Sequence, residues 1–193
     1  MLRGVLGLTV AVLLGGCASV RTLDSEVQSF STLAAVPAVP TYRFERLPSQ
    51  QAQPQRQAEV EAMAEQALTR VGMRRDDAQA RYTVQLGVRV QQDERIDWNE
   101  GWWVGPDLRR WNAGYWRRWP SPGLAATPWY VREVSLALRD KVSGQVVYET
   151  HAQEEGVWSD TPQLLPALFR AALRDFPAAS PGAQPRKVQE TLP

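Results

Sequence analysis

Residues 82–90 constrain this chain more than any other stretch. Tyr82, Val84, Leu86, Val88 and Val90 alternate strictly with Thr83, Gln85, Gly87, Arg89 and Gln91. A period of two sends successive side chains to opposite faces of a strand. The segment therefore reads as a strand with an apolar face turned inward and a polar face turned to water, as in a sheet covered on one side only.

Further elements follow from the same patterning. Residues 41–47 alternate through Tyr42 and Phe44 and read as a short strand. Residues 48–54 form a Gln/Pro linker, and Pro54 suits the first turn of a helix, where its missing N–H costs nothing. Val60, Met63, Ala64, Ala67, Leu68 and Val71 then recur at helical spacing, with Glu59, Glu61, Glu65 and Arg70 on the other face. Gly72 is a C-terminal stop, and Arg74 and Arg75 complement the negative end of the helix dipole. Residues 76–80 read as a turn. Residues 129–140 (Val134, Leu136 and Leu138 on one face) and 145–153 (Val146, Tyr148, Thr150 and Ala152) flank a Ser143-Gly144 turn and read as a hairpin. Thr161 as N-cap and Pro162 at the first helical position open a last helix striped by Leu164, Leu165, Leu168, Phe169, Ala172, Leu173 and Phe176; Pro166 lies in its first turn and Pro177 ends it. The expected fold class is α+β: an antiparallel sheet of about four strands with two helices packed on one face, plus a long Trp-rich insert between strands 2 and 3.

Composition narrows the function. With 44% hydrophobic and 22% charged residues, the 193-residue chain has globular values. Its 22 Lys+Arg against 21 Asp+Glu leave a net charge of +1, against a nucleic-acid binder. One Cys makes no internal disulfide framework and one His makes no multi-His metal site, so no metal is expected. No Gly-x-Ser-x-Gly, Cys–His pair, P-loop or dinucleotide fingerprint appears, and Asp76-Asp77 lacks calcium-loop spacing; no cofactor and no catalytic residue is expected. His151 falls on the polar face of its strand beside Glu149 and Gln153. Glu154-Glu155 and Asp160, with Asp97 and Glu100, form the one candidate carboxylate cluster, although charge runs at strand ends are usually solvated.

The N-terminus reads as an address. Arg3 precedes an apolar run from Val5 to Leu14, then Gly15, Gly16 and Cys17. That is the layout of a secretory signal peptide, and the run of about ten residues is too short for the ~20 that cross a bilayer. Leu14-Gly15-Gly16-Cys17 resembles the lipobox of bacterial lipoproteins, and the chain's one Cys occupies the position that motif requires. The resemblance implies diacylglyceryl attachment to Cys17, cleavage before it, and acylation of the new amine. One acyl chain binds marginally at ~0.8 kcal/mol per CH₂, whereas two or three anchor stably. Ala18 and Ser19, rather than Asp, after the Cys imply the outer membrane, facing the periplasm. The expected organisation is a signal peptide at 1–16, a lipidated Cys and tether at 17–40, one α+β domain at 41–177 with an insert at 97–128, and a disordered tail at 178–193.

That insert exceeds the 12–15 residues usual for an unstructured loop in a compact domain. It holds Trp98, Trp102, Trp103, Trp111, Trp116 and Trp119, six of the eight tryptophans, with Arg109-Arg110 and Arg117-Arg118. Three readings stand: a structural arm with its own mini-core of Trp rings; a binding surface on which Trp102, Trp103, Trp111, Trp116 and Trp119 stack against sugars while the arginines clamp carboxylate or phosphate; or insertion at the membrane interface.

Several segments also resemble domain-of-unknown-function family 4136, lipoproteins of the bacterial envelope. They are the helix ending Val71-Gly72-Met73 before the strand at 80–90, the hairpin at 134–150 with Asp140 and its Ser-Gly turn, and the last helix ending Phe176-Pro177, all behind a lipobox. The resemblance covers most of residues 29–177; the Ala/Pro-rich stretch 34–40 departs from it. It implies an α+β lipoprotein domain, no established activity and no catalytic residues. The expectation is a non-enzymatic binding or assembly component of the cell envelope, anchored in the membrane by lipid, with an envelope glycan, lipopolysaccharide or envelope protein as partner and no nucleic acid. The alternatives are a structural protein-interaction domain without a ligand site, to whose sheet edge a partner strand adds, and a carboxylate-based envelope hydrolase.

Overall fold

The computed structural model describes residues 21–95 and 127–192. In chain order these form β1 (Thr22–Ser31), β2 (Thr41–Glu45), a one-turn helix α1 (Pro48–Gln51), α2 (Pro54–Arg70), β3 (Arg74–Arg75), β4 (Tyr82–Arg95), β5 (Thr127–Asp140), β6 (Val146–Gly156), α3 (Thr161–Ala172), a 3₁₀ turn (Pro181–Ala183) and β7 (Arg186–Thr191). All seven strands belong to one sheet in the order β3-β2-β4-β5-β6-β1-β7. The pairs β4–β5, β5–β6, β6–β1 and β1–β7 are antiparallel, whereas β2 runs parallel to both β3 and β4.

This corrects the expected four-stranded antiparallel sheet with two helices: among the described residues the sheet is mixed and has seven strands, and there are three α-helices. The parallel β2–β4 pair has a topological cause. Parallel neighbours need a long crossover between them, and α1 and α2 supply it. Two further strands come from segments read as tether and tail. β1 lies between β6 and β7, and β7 forms the sheet's far edge. In β1 the inward positions are Leu23, Ser25, Val27 and Ser29, all buried. The two serines are satisfied: the Ser25 hydroxyl donates to the Val188 carbonyl at 3.1 Å, and the hydroxyls of Ser29 and Thr150 lie 3.1 Å apart.

One core joins the sheet to α2 and α3. Val84, Leu86, Val134, Leu136, Leu138, Tyr148 and Ala152 meet Ala64, Ala67 and Leu68 of α2, and Leu164, Leu168, Phe169 and Ala172 of α3. Thr150 reaches from the sheet to donate to the Ala172 carbonyl at 2.8 Å, satisfying an acceptor that the end of α3 leaves open. The opposite sheet face carries Gln85, Gly87, Glu133, Ser135, Glu149, His151 and Gln153, as the period of two requires.

The ends of α2 follow the expected residues, whereas the start of α3 and the burial of one glutamate do not. Pro54 opens α2, and Gly72 follows it with φ 87°, in the left-handed region open to glycine. Glu61, expected on the wetted face, is buried, because Arg46 reaches over it with Nε and Nη2 donating at 2.6 and 2.7 Å. Thr161 is the first residue of α3 rather than its cap, which is Asp160. The Phe176–Pro177 peptide bond is cis.

Candidate functional site: the Arg21–Trp158 corner

β1 and β6 are antiparallel, with Glu26 opposite Gln153, so the start of β1 and the end of β6 share one end of the sheet. The β4–β5 pair also points there: Tyr130 lies opposite Gly156, and pairing continues outward to Arg95 opposite Thr127. β4 therefore ends, and β5 begins, at the end of the sheet where β1 begins. At the opposite end, Lys141, Val142 and Ser143 form the β5–β6 turn.

Two arginines build the corner. Arg132 is the largest fully buried side chain, at 0% exposure. Its Nη1 donates to Glu154 Oε2 at 2.7 Å, its Nε to the Thr161 hydroxyl at 2.9 Å, and its Nη2 to the Trp158 carbonyl. The guanidinium carbon also lies 4.9 Å from the Tyr130 ring centre. Each of the three guanidinium nitrogens thus donates a hydrogen bond, which is how a buried charge becomes tolerable. Strand alternation dictates the placement: Arg132 and Glu154 occupy inward positions, one residue pair beyond the apolar Val134 and Ala152. Together they fix the turn that leads from β6 into α3.

Arg21 closes the corner from outside. Its Nη1 and Nη2 donate to the two carboxylate oxygens of Asp160 at 2.6 and 3.0 Å, and its guanidinium stacks 4.1 Å above the Trp158 ring. The Arg21 hydrogen bonds hold the Asp160 carboxyl below its ordinary value, against a smaller opposing effect of burial. The Arg21 carbonyl accepts from the Leu192 amide at 2.9 Å, so both ends of the described chain meet here. Trp158 remains 53% exposed and Val157 46% exposed.

Of the residues expected to carry function, Cys17 and all of Trp102, Trp103, Trp111, Trp116, Trp119, Arg109, Arg110, Arg117 and Arg118 lie outside the described residues. Asp97 and Glu100 of the expected carboxylate cluster also lie outside the described residues, and its three other members do not come together. Glu154 points into the core and is held by Arg132, Glu155 points to the other sheet face, and Asp160 is held by Arg21. His151 lies on the open face with Nε2 2.9 Å from Glu149 Oε1. A cleft of about 480 Å³ on that face is lined by Asp24, Ser25, Glu26, Gln153, Glu155 and Lys187. Among the described residues no group of three or more His, Cys, Asp or Glu could hold a metal ion.

The family model described as Domain of unknown function (DUF4136) matches residues 26–178. The chain belongs to this family. The DUF4136 match begins within β1 and ends beyond α3, so it takes in the whole corner except Arg21. No curated protein matches the sequence. Among solved structures, a PDZ domain protein from Parabacteroides distasonis is similar, with a TM-score of 0.50 and 12% identity over 94% of this chain. This chain spans 42% of the length of that protein, and the likeness is one of fold. Two structures of a PelC dodecamer from Paraburkholderia phytofirmans give TM-scores of 0.44 and 0.45 at 18% and 15% identity, each over 77% of this chain and 94% of the other.

Proposed function

We propose that this DUF4136 protein is an outer-membrane lipoprotein facing the periplasm and acts there, without catalysis, as a binding or assembly component of the envelope. The observation that carries the reading is Leu14-Gly15-Gly16-Cys17, with the chain's one cysteine at the position of acylation. The Trp/Arg-rich segment 97–128 is the proposed contact with envelope glycan, lipopolysaccharide or protein. Its support is compositional: Trp faces suit sugar rings and Arg forks suit carboxylate or phosphate. Fractionation of a Cys17→Ser variant tests the anchor; the variant is expected in the soluble periplasmic fraction, and persistence in the outer membrane refutes it. Trp102→Ala, Trp103→Ala and Trp116→Ala are each expected to weaken retention on isolated envelope more than they lower the melting temperature.

A second reading has one observation in its favour. β2 pairs with β4 only from Tyr82 to Gln85. Beyond that, the β4 edge has no strand neighbour among the described residues, and the Gln50 side chain caps the Leu86 carbonyl at 2.7 Å. Such an edge can accept a partner's strand. A partner held there is expected to stay crosslinked when the tryptophans are replaced.

A further inference from the structure

The position of β1 changes the length of the anchor. Because β1 begins at Thr22 and Arg21 is already latched to Asp160, the connection from Cys17 to the folded domain is four residue steps. A chain extends at most 3.3–3.6 Å per residue, so Arg21 lies within about 14 Å of Cys17. The headgroup layer on each side of a bilayer is roughly 5–7 Å deep. A domain so closely tied lies against the membrane by whichever surface surrounds Arg21.

That surface is the Arg21–Trp158 corner, and its chemistry suits a lipid interface. Val157 and Trp158 project side by side from the turn after β6, 46% and 53% exposed. Trp158 is held in place: its carbonyl accepts from the buried Arg132, and Arg21 covers one face of its ring. Trp favours the headgroup level, where an apolar body and a polar N–H are both accommodated. Among the described residues the one cation over the ring is Arg21, which Asp160 neutralises at 2.6 Å, so the pair adds no net charge to the corner.

We propose that the Val157–Trp158 corner is the membrane-facing surface of the domain and seats on zwitterionic phospholipid headgroups. The proposal rests on acylation of Cys17, and its test separates the two. In the acylated protein the Cys17 sulfur is a thioether, so an introduced cysteine is the one free thiol. Ser159→Cys places a thiol next to Trp158; Val142→Cys places one at the opposite end of the sheet, where Val142 is 77% exposed. Eleven residues of β6 separate the two ends, about 35 Å at ~3.3 Å per residue.

Each acylated variant, labelled with an environment-sensitive dye, is reconstituted on phosphatidylcholine vesicles and titrated with iodide. Quenching at Ser159→Cys is expected to fall several-fold relative to the same label on the Cys17→Ser form in buffer, while quenching at Val142→Cys stays unchanged. Adding Trp158→Ala, with the melting temperature monitored, is expected to restore much of the quenching at Ser159→Cys while the protein stays on the vesicles. Equal quenching at the two positions in protein that floats with vesicles overturns the orientation and leaves the anchor standing. Shielding at Ser159→Cys in the Cys17→Ser form without vesicles that is lost on dilution overturns it in favour of a second copy of this chain. Protein that carries no acyl mass on Cys17 and does not float overturns both.

Discussion

Arg132 and Glu154 show how a strand pattern can place charge in a core and keep it there. Each occupies an inward position, and each would be costly alone. Arg132→Met is expected to lower the unfolding free energy by about 3–5 kcal/mol, because it strands Glu154 among apolar groups. Glu154→Leu alone is expected to do similar harm. The double variant Arg132→Met with Glu154→Leu is expected to recover most of the loss, and a double-mutant cycle in urea measures the coupling. Asp140 gives a pH signature. Burial works to raise its carboxyl, but the Val142 amide, Arg81 and the Ser143 amide prevail and hold it below the ordinary value. Arg21 does the same for Asp160. A carboxyl depressed by folding contributes stability that is present above its unfolded pKa of about 3.9 and lost as pH falls through the lower folded value. The urea midpoint is therefore expected to drop below pH 4, and to drop less in Asp140→Asn and Asp160→Asn.

At the scale of elements, legibility tracked how much apolar residue each element carries. β4 alternates without a break from Tyr82 to Gln91, and the β5–β6 hairpin and the stripes of α2 and α3 are equally explicit in the sequence. β1 offers serine at two of its four inward positions, and β7 buries Val188 alone within its six residues, so both resembled linker. The direction of β2 was not legible either, because a period of two is the same for parallel and antiparallel pairing. The corner could be glimpsed: carrying the Val134–Leu138 alternation back by one step puts Arg132 on the inward face. Its partners Trp158, Asp160 and Arg21 lie far along the chain, and no local pattern joins them. β7 is testable as an element. A chain ending at Ala183 loses Val188 and Leu192 from the core and is expected to lose about 3–6 kcal/mol, from roughly 1.5–3 kcal/mol for each buried side chain. A disordered tail would leave the melting temperature unchanged, so thermal denaturation decides.

At the scale of the molecule, the sheet is closed by sequence-distant partners. Glu26 pairs with Gln153 and Thr22 with Thr191. Deleting residues 21–32 removes an interior strand, leaves β6 and β7 without their common neighbour, and is expected to abolish the cooperative transition seen by circular dichroism. So large a share of non-local pairing also belongs to the slow end of two-state folding, milliseconds to seconds. The same pairing sets an order in time. β1 is the first strand to be synthesised, yet it has no neighbour until β6 exists and its second arrives only with the last residues of the chain. Until β6 exists the start of β1 has neither strand neighbour, and Arg21 has neither Asp160 nor the Leu192 amide to hold it. Once β7 locks, the Leu192 amide meets the Arg21 carbonyl, and the first and last described residues of the chain are held at one corner beside the Trp158 ring.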